Sequence, residues 1–227
     1  MQLVTHLASV PLFKGLNTPE LEGLAMILTD QSFKRGQHIF SEGDNGVGFY
    51  VVISGKVKIY KLSAEGKEQI LHIFGPGEPF AEVAVFAGAN FPANALAIEA
   101  SRIFFFPRSS FITLIKDNPA LAMNMMAELS LRLKKFAHMI ESLSLKEVPG
   151  RLANHILLLA DEQNNASQIT LGLAKSHLAS LLGTIPETLS RILTKMSNQK
   201  LIESQGSTIT ILDYDALSDL ASGEKRL

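Results

Sequence analysis

Three side chains near the carboxyl end have types and spacing suited to reading a nucleic acid. Glu187, Ser190 and Arg191 stand at i, i+3 and i+4, so on a helix they share one face. Arginine can donate two bonds to guanine O6 and N7, and glutamate can accept from cytosine N4. Serine serves either a base or a phosphate. Lys195 and Lys200 follow where phosphate would run, and Lys175 opens the preceding segment. The competing reading is a helical hairpin with a solvated polar face, and a carboxylate near DNA costs affinity unless it meets a donor.

The surrounding elements favour the first reading. Leu178, Leu181 and Leu182 give one helix an apolar face, and Gly183 permits a left-handed turn. Thr184, with Glu187 three residues on, has the pattern of a capping box for a second helix. Leu189, Ile192, Leu193 and Met196 would bury that helix's other face. Two β-prone runs flank Gly206 within residues 201–212, so a hairpin is expected after the helices, making a winged helix-turn-helix. A helix over about residues 151–161 and a polar loop over 162–167 precede it.

Upstream, Met126, Leu129, Leu133, Phe136, Ile140 and Leu143 recur at 3-4-3-4-3 spacing. That is the a/d stripe of a coiled coil, and it predicts a dimerisation helix over 118–147. Its narrowness argues against a helix lying only on its own core. Val148-Pro149-Gly150 should break this helix and act as a hinge. From about Phe33 to Phe106 short β segments alternate with glycine turns, as in Gly48–Ile53 and Lys56–Tyr60, which suggests a sandwich or small barrel. The run Ile103-Phe104-Phe105-Phe106 is strand-sized and closed by Pro107. Before it, Thr18 is expected to cap a short helix with Pro19 at its first position, Leu21, Leu24, Ala25 and Leu28 forming one face. The fold class expected is α+β: a β-roll over 1–117, the long helix, and a winged helix-turn-helix over 148–227.

Composition sets the outer bounds. The 227 residues are 46% hydrophobic and 19% charged, a globular balance. Cysteine is absent, which excludes disulfides, thiolate zinc, Cys-ligated iron–sulfur clusters and a Cys nucleophile. The net charge of −1 provides no global basic field, so any nucleic-acid binding must come from a local patch. The first residues carry no charged stretch ahead of an apolar core, and no run reaches about 18 apolar residues. A cytoplasmic protein without membrane contact is the expectation.

At this point the sequence resembles the Crp/Fnr family of bacterial transcription regulators over nearly its whole length. Glu42-Gly43-Asp44, Phe49-Tyr50-Val51-Val52, Gly55-Lys56-Val57-Lys58 and Gly77-Glu78-Pro79-Phe80-Ala81-Glu82 resemble the cyclic-nucleotide-binding-type β-roll. Pro186-Glu187-Thr188-Leu189-Ser190-Arg191 is similar to the Fnr/Dnr-type recognition helix, whose Glu, Ser and Arg read a TTGAT-like half-site. The cyclic-AMP receptor branch has Arg in place of Pro186 and Gly in place of Ser190. The resemblance implies a homodimer on an inverted repeat of double-stranded DNA, with recognition helices about 34 Å and about 10 bp apart. RNA polymerase is a further expected partner, and no catalysis is expected.

The same resemblance implies an effector site in the roll, and there the sequence departs from nucleotide binding. Where cyclic-nucleotide sensors carry Gly-Glu for the ribose and Arg-Ser for the phosphate, this chain has Ala81-Glu82 and Ala93-Asn94. A buried phosphate would lack its guanidinium partner. The family's adenine-contacting Thr-Ser falls at Phe136-Ala137. Phe74, Phe80, Val83, Phe86, Phe91 and Phe136 remain as an apolar lining for a small-molecule or gas effector. Phe91-Pro92-Ala93-Asn94-Ala95 resembles the heme-dependent, nitric-oxide-responsive Dnr-type branch. His72 and His138 are the candidate axial ligands, with Met123, Met125, Met126 and Met139 as softer alternatives. His38, His155 and His177 read as structural or exposed. The alternatives are a cyclic-nucleotide-responsive regulator, a nucleotide-sensing module without DNA binding, and a metalloenzyme built on the roll. The last finds no clustered histidine pair among the six histidines. In the favoured reading the effector reorients the C-terminal domains about Pro149-Gly150.

Overall fold

The computed structural model describes residues 2–163 and 166–227. Asn164 and Asn165, in the middle of the expected polar loop, lie outside the described residues. The elements in chain order are α1 (Gln2–Ala8), α2 (Thr18–Ile27), β1 (Thr29–Phe33), β2 (His38–Phe40), β3 (Gly48–Ser54), β4 (Val57–Leu62) and β5 (Glu68–Phe74). Then come β6 (Pro79–Phe80), α3 (Val83–Phe86), β7 (Asn94–Ala97), β8 (Ser101–Pro107), α4 (Arg108–Asp117) and α5 (Pro119–Leu145). The remainder is α6 (Val148–Glu162), β9 (Gln168–Thr170), α7 (Lys175–Leu181), α8 (Pro186–Asn198), β10 (Ile202–Gln205), β11 (Thr208–Ile211) and α9 (Tyr214–Ser222). The α+β class holds. Two compact units, Met1–Leu133 and Lys134–Leu227, divide within α5.

In the first unit two four-stranded sheets, ordered β1-β8-β3-β6 and β2-β7-β4-β5, form the roll. Strand alternation explains the long apolar runs. Tyr50 and Val52 of β3 face the roll interior with Phe40, Val57, Phe74 and Phe80. Phe49 and Val51 face the opposite way, onto Leu12, Phe13, Phe111, Leu121 and Met125. In β8, Ile103 and Phe105 point inward, and Phe104 and Phe106 join the helical side. A strand covered on both faces has no polar positions to alternate with, hence the unbroken Ile103–Phe106 run.

The helices covering that second face include α4, which the sequence pattern did not reveal. Its apolar residues Phe111, Ile112, Leu114 and Ile115 follow directly on the strand and carry no break signal of their own. α2 differs from expectation by one residue. Its cap is Asn17, whose Oδ1 accepts from the Glu20 amide at 3.0 Å, and Glu20 Oε2 accepts from the Asn17 amide at 2.6 Å. Thr18 is therefore the first helical residue, and Pro19 sits in the first turn, where its missing N–H costs nothing.

In the second unit α6, α7, α8 and α9 surround one core with the sheet β10-β11-β9. The wing hairpin is present, turning at Gly206 with φ 62°. The sequence reading omitted β9 and α9. Three residues of strand are too few to show a period, and Leu217, Leu220 and Ala221 of α9 show their face only against α6. Pro149 and Gly150 also correct an expectation. They do not interrupt the chain but lie in the first turn of α6, and the break between α5 and α6 is Lys146-Glu147. A proline in a first turn loses no helical hydrogen bond, so the same residue that stops one helix starts the next.

Candidate functional site

α8 presents the triad outward because its other face is taken. Leu189 and Met196 are fully buried, Ile192 and Leu193 nearly so, while Glu187, Ser190, Arg191, Thr194 and Lys195 are exposed. Gly183 makes the preceding turn with φ 67°. Thr184 does not cap the helix, contrary to expectation. The cap position is Ile185, with no side-chain bond, and Pro186 starts the first turn, so Glu187 stands free of any capping box. Proline's fixed φ and absent N–H take the place of the side-chain cap. Arg191 Nη2 donates to Thr188 Oγ1 at 3.2 Å, which holds the guanidinium along the same exposed face. Lys195 Nζ donates to the Leu227 carbonyl at 2.8 Å. Lys175 is exposed at the start of α7, and Lys200 is exposed just past α8 with φ 58°.

Along α5 the residues of the heptad stripe diverge in exposure. Met126 is 51%, Leu133 71% and Ile140 66% exposed, while Leu129, Phe136 and Leu143 are half-buried. Leu121 and Met125, on another face, are buried against the helical side of the roll. The part of the helix up to Leu133 therefore seats one face on the first unit, and along the helix an apolar row, seven residues apart, faces solvent.

The presumed effector residues of the first unit come together, but as a packed core. Phe74, Phe80 and Phe91 are nearly or wholly buried. Phe40 stacks on Phe91 at 3.9 Å, Tyr50 on Phe80 at 5.1 Å, and Phe74 meets Phe80 at 5.5 Å between centroids. Phe86 is an exception to the expected lining: it is 48% exposed, at the end of a four-residue helix too short to turn it inward. Val83 is half-buried. Phe136, half-buried, and Ala137, exposed, fall past residue 133 and belong to the second unit.

Glu82 is 5% exposed, and its charge is met by a residue that the sequence reading missed. Arg132 Nη1 donates to both Glu82 oxygens at 2.7 and 2.9 Å, and Nη2 donates to the Pro79 carbonyl at 2.7 Å. The same guanidinium lies 4.8 Å from the Phe74 ring centre. Arg132 lies one residue before Leu133 of the stripe; its pairing is non-local and leaves no sequence signal. Ala81, just before Glu82, holds φ 65°, a left-handed conformation that a side chain rarely adopts.

At the phosphate-binding positions of the resemblance, Ala93 is buried and Asn94 is engaged by its own scaffold. Asn94 Oδ1 accepts from the Glu42 amide at 3.0 Å, and Asn94 Nδ2 donates to the Tyr60 carbonyl at 3.5 Å. The neighbouring Lys61 pairs with Glu42 and donates to the Pro92 carbonyl at 3.0 Å.

Neither candidate heme ligand is placed to serve. His72 meets Phe74 edge-on, with ring centroids 4.4 Å apart and Nε2 3.9 Å from Glu78 Oε1. His138 is 67% exposed, its Nδ1 3.6 Å from Glu141 Oε2 on its own helix. With one imidazole turned to solvent and the rings closed on one another, the residues in this arrangement do not fit a heme. The softer sulfur candidates divide likewise: Met125 is in the core, Met123 and Met126 are exposed. Among the described residues, no group of three His, Asp or Glu side chains is placed to hold a metal ion. No helix among them is long and apolar enough to cross a membrane.

Comparison with known proteins matches these two regions separately. Residues 30–118 match the family described as Cyclic nucleotide-binding domain, and residues 150–220 the Crp-like helix-turn-helix domain. The Cyclic AMP receptor protein of Thermus thermophilus is 30% identical over 94% of this chain and 97% of its own length. The Fumarate and nitrate reduction regulatory protein of Escherichia coli is 30% identical over 91% of this chain and 84% of its own. Among solved structures, the Catabolite Activator Protein of Thermus thermophilus is similar at 29% identity and TM-score 0.54, over 95% of this chain and all of that one. FixK2 of Bradyrhizobium japonicum shares the fold at TM-score 0.73, over 86% of this chain and 97% of that one.

Proposed function

From the premise that this chain belongs to the Crp/Fnr family of DNA-binding transcription regulators, we propose that it acts as a homodimer reading an inverted repeat of TTGAT-like half-sites. One observation carries this reading: Glu187, Ser190 and Arg191 share the only face of α8 left free by its buried residues. The exposed row Met126, Leu133 and Ile140 supports a second copy as the partner of α5, since apolar side chains at heptad spacing bury best in a like helix. Pairing two chains doubles a half-site contact, and the inverted repeat follows from the two-fold axis. No catalysis is assigned, and RNA polymerase enters as the expected partner of a regulator bound at a promoter.

For the effector, we propose a ligand other than cyclic AMP. One of the relatives carries cyclic AMP in its name, but here the position that would need a guanidinium is Ala93, and the Asn94 amide is occupied by Glu42 and Tyr60. A second reading, a cyclic-nucleotide-responsive regulator, is favoured by the retained buried carboxylate of Glu82. Calorimetric titration with cyclic AMP separates the two, and saturable binding at micromolar concentration decides for the second. Heme with nitric oxide, suggested by the resemblance, is disfavoured by the placement of His72 and His138, so hemin reconstitution is expected to give no stoichiometric Soret band.

The DNA assignment is tested by fluorescence anisotropy on a TTGAT inverted repeat and on a scrambled duplex of equal length. Preference for the repeat that disappears when both half-sites are scrambled is the expected result. Equal affinity for both duplexes would refute it.

A further inference from the structure

The connection between α5 and α6 is two residues long, Lys146 and Glu147, and a joint of that kind with no other tie would swivel. Here it is tied. Arg151, in the first turns of α6, donates through Nη1 to the Lys146 carbonyl at 2.8 Å and the Leu143 carbonyl at 3.4 Å. The Leu143 carbonyl lies in the last turn of α5, where the carbonyls have no partner within the helix, and the Lys146 carbonyl lies just past it. Through Nε the same guanidinium donates to the Leu182 carbonyl at 2.9 Å. Leu182 ends α7, immediately before the Gly183 turn from which α8 departs.

A guanidinium is a planar fork with fixed donor directions, so bonds to two helix ends constrain orientation as well as distance. Burial draws the Arg151 guanidinium below its ordinary proton affinity. A Cβ built on Gly150 would stand 2.9 Å from the Leu220 carbonyl, so α9 closes directly against the first turn of α6. The end of α5 and the DNA-reading helices belong to one compact unit beginning at Lys134. The segment expected to be a hinge is thus braced by Arg151, and the first turn of α6 that follows it is seated on α9.

We propose that Arg151 is the positioning residue that sets the direction in which the α7–α8 pair leaves α5, and hence the half-site spacing a dimer accepts. The inference rests on the reading of the protein as a dimer on an inverted repeat. Arg151 touches no base in this role; it acts through the helix ends it joins.

The test uses the full chain and two readouts. Because the sequence has no cysteine, Ser218→Cys at an exposed position of α9 gives a single spin-label site, and the two labels of a dimer report where the reading units stand. The distance distribution is expected to be narrow in the parent protein and broad in Arg151→Gln. In parallel, affinity is measured on inverted repeats with the spacer at its best length and one base pair shorter or longer, and on a single half-site. Arg151→Gln is expected to lose about tenfold on the best spacing and to stay within about twofold on the single half-site, so the spacer profile flattens. Gly150→Ala, whose added Cβ would press the first turn of α6 against the Leu220 carbonyl and so shift the Arg151 donors without removing them, should flatten the profile in the same direction and covers the case in which Arg151→Gln does not fold.

A sharp parent profile that survives both substitutions overturns the role of Arg151. So does a single half-site affinity that falls as far as the repeat, because that is general damage to the reading unit. A parent protein with no dipolar signal and no spacer preference strikes the dimer reading itself, and the proposal falls with it by a distinguishable route.

Discussion

At the scale of single residues, charge placement decides what each group is for. Arg191 is exposed and, among the described residues, bonded to Thr188, a bond that the proposed base contact would replace. Arg191→Ala is expected to cost about 1–3 kcal/mol on cognate sites and to relax the preference at one position. Lys195→Ala should instead weaken binding to every sequence alike and flatten the salt slope by about one unit, since a phosphate contact carries no base information. Titrations at several salt concentrations on cognate and random duplexes check both, and equal losses on random DNA would contradict base reading by Arg191. Arg132 is different in kind. Its loss would leave the Glu82 carboxylate buried without a counter-charge, at a cost of about 3–5 kcal/mol. Arg132→Met is therefore expected to lower the melting temperature sharply, and adding Glu82→Gln should restore much of it.

At the scale of elements, α5 serves two surfaces at once. Its Leu121 and Met125 complete the helical side of the roll, and the row through Leu133 and Ile140 is left over. Leu133→Lys with Ile140→Glu should leave the roll folded and shift sedimentation to the mass of one chain, with DNA affinity falling because the two half-sites are no longer linked. Retention of a dimer by that variant would place the interface elsewhere. The start of α8 shows the same economy of signals. The Thr184 and Glu187 spacing satisfies a capping pattern, but Pro186 sets where the first turn begins and leaves Glu187 available to a ligand. The capping pattern is a local preference worth about 1 kcal/mol. A proline that cannot donate a backbone hydrogen bond outweighs it in fixing the boundary.

At the scale of the whole molecule, His155 links stability to pH. Its Nε2 is buried with no hydrogen-bond partner among the described residues, and burial lowers the pKa of the imidazole. The native chain therefore stays neutral at this position while the unfolded chain takes up a proton near pH about 6.5. The unfolded state then binds more protons, so stability falls as pH drops below that value, by at most about 1.4 kcal/mol per pH unit from this group. Denaturation midpoints between pH 7 and pH 5 should show this decline in the parent protein, and His155→Asn should reduce it. A slope unchanged in the variant would assign the pH response to other groups.

What the sequence determined by itself was whatever depends on neighbours along the chain. The apolar period of α8, and with it the outward face of Glu187, Ser190 and Arg191, follows from residue spacing alone, as do the heptad row of α5 and the glycine-punctuated strands of the roll. Only the tertiary structure decided the pairings between distant residues. Arg132 meets Glu82 across 50 positions. The amide of Asn94 is taken up by the segment around Glu42 across 52 positions, and the end of α7 is held by Arg151. Short elements such as β9, and helices such as α9 whose apolar side has meaning only against α6, were settled in the same way. The reason is physical: helical and strand periods are imposed by the backbone over a few residues, whereas burying a charge or closing a joint depends on which surfaces the finished fold brings together.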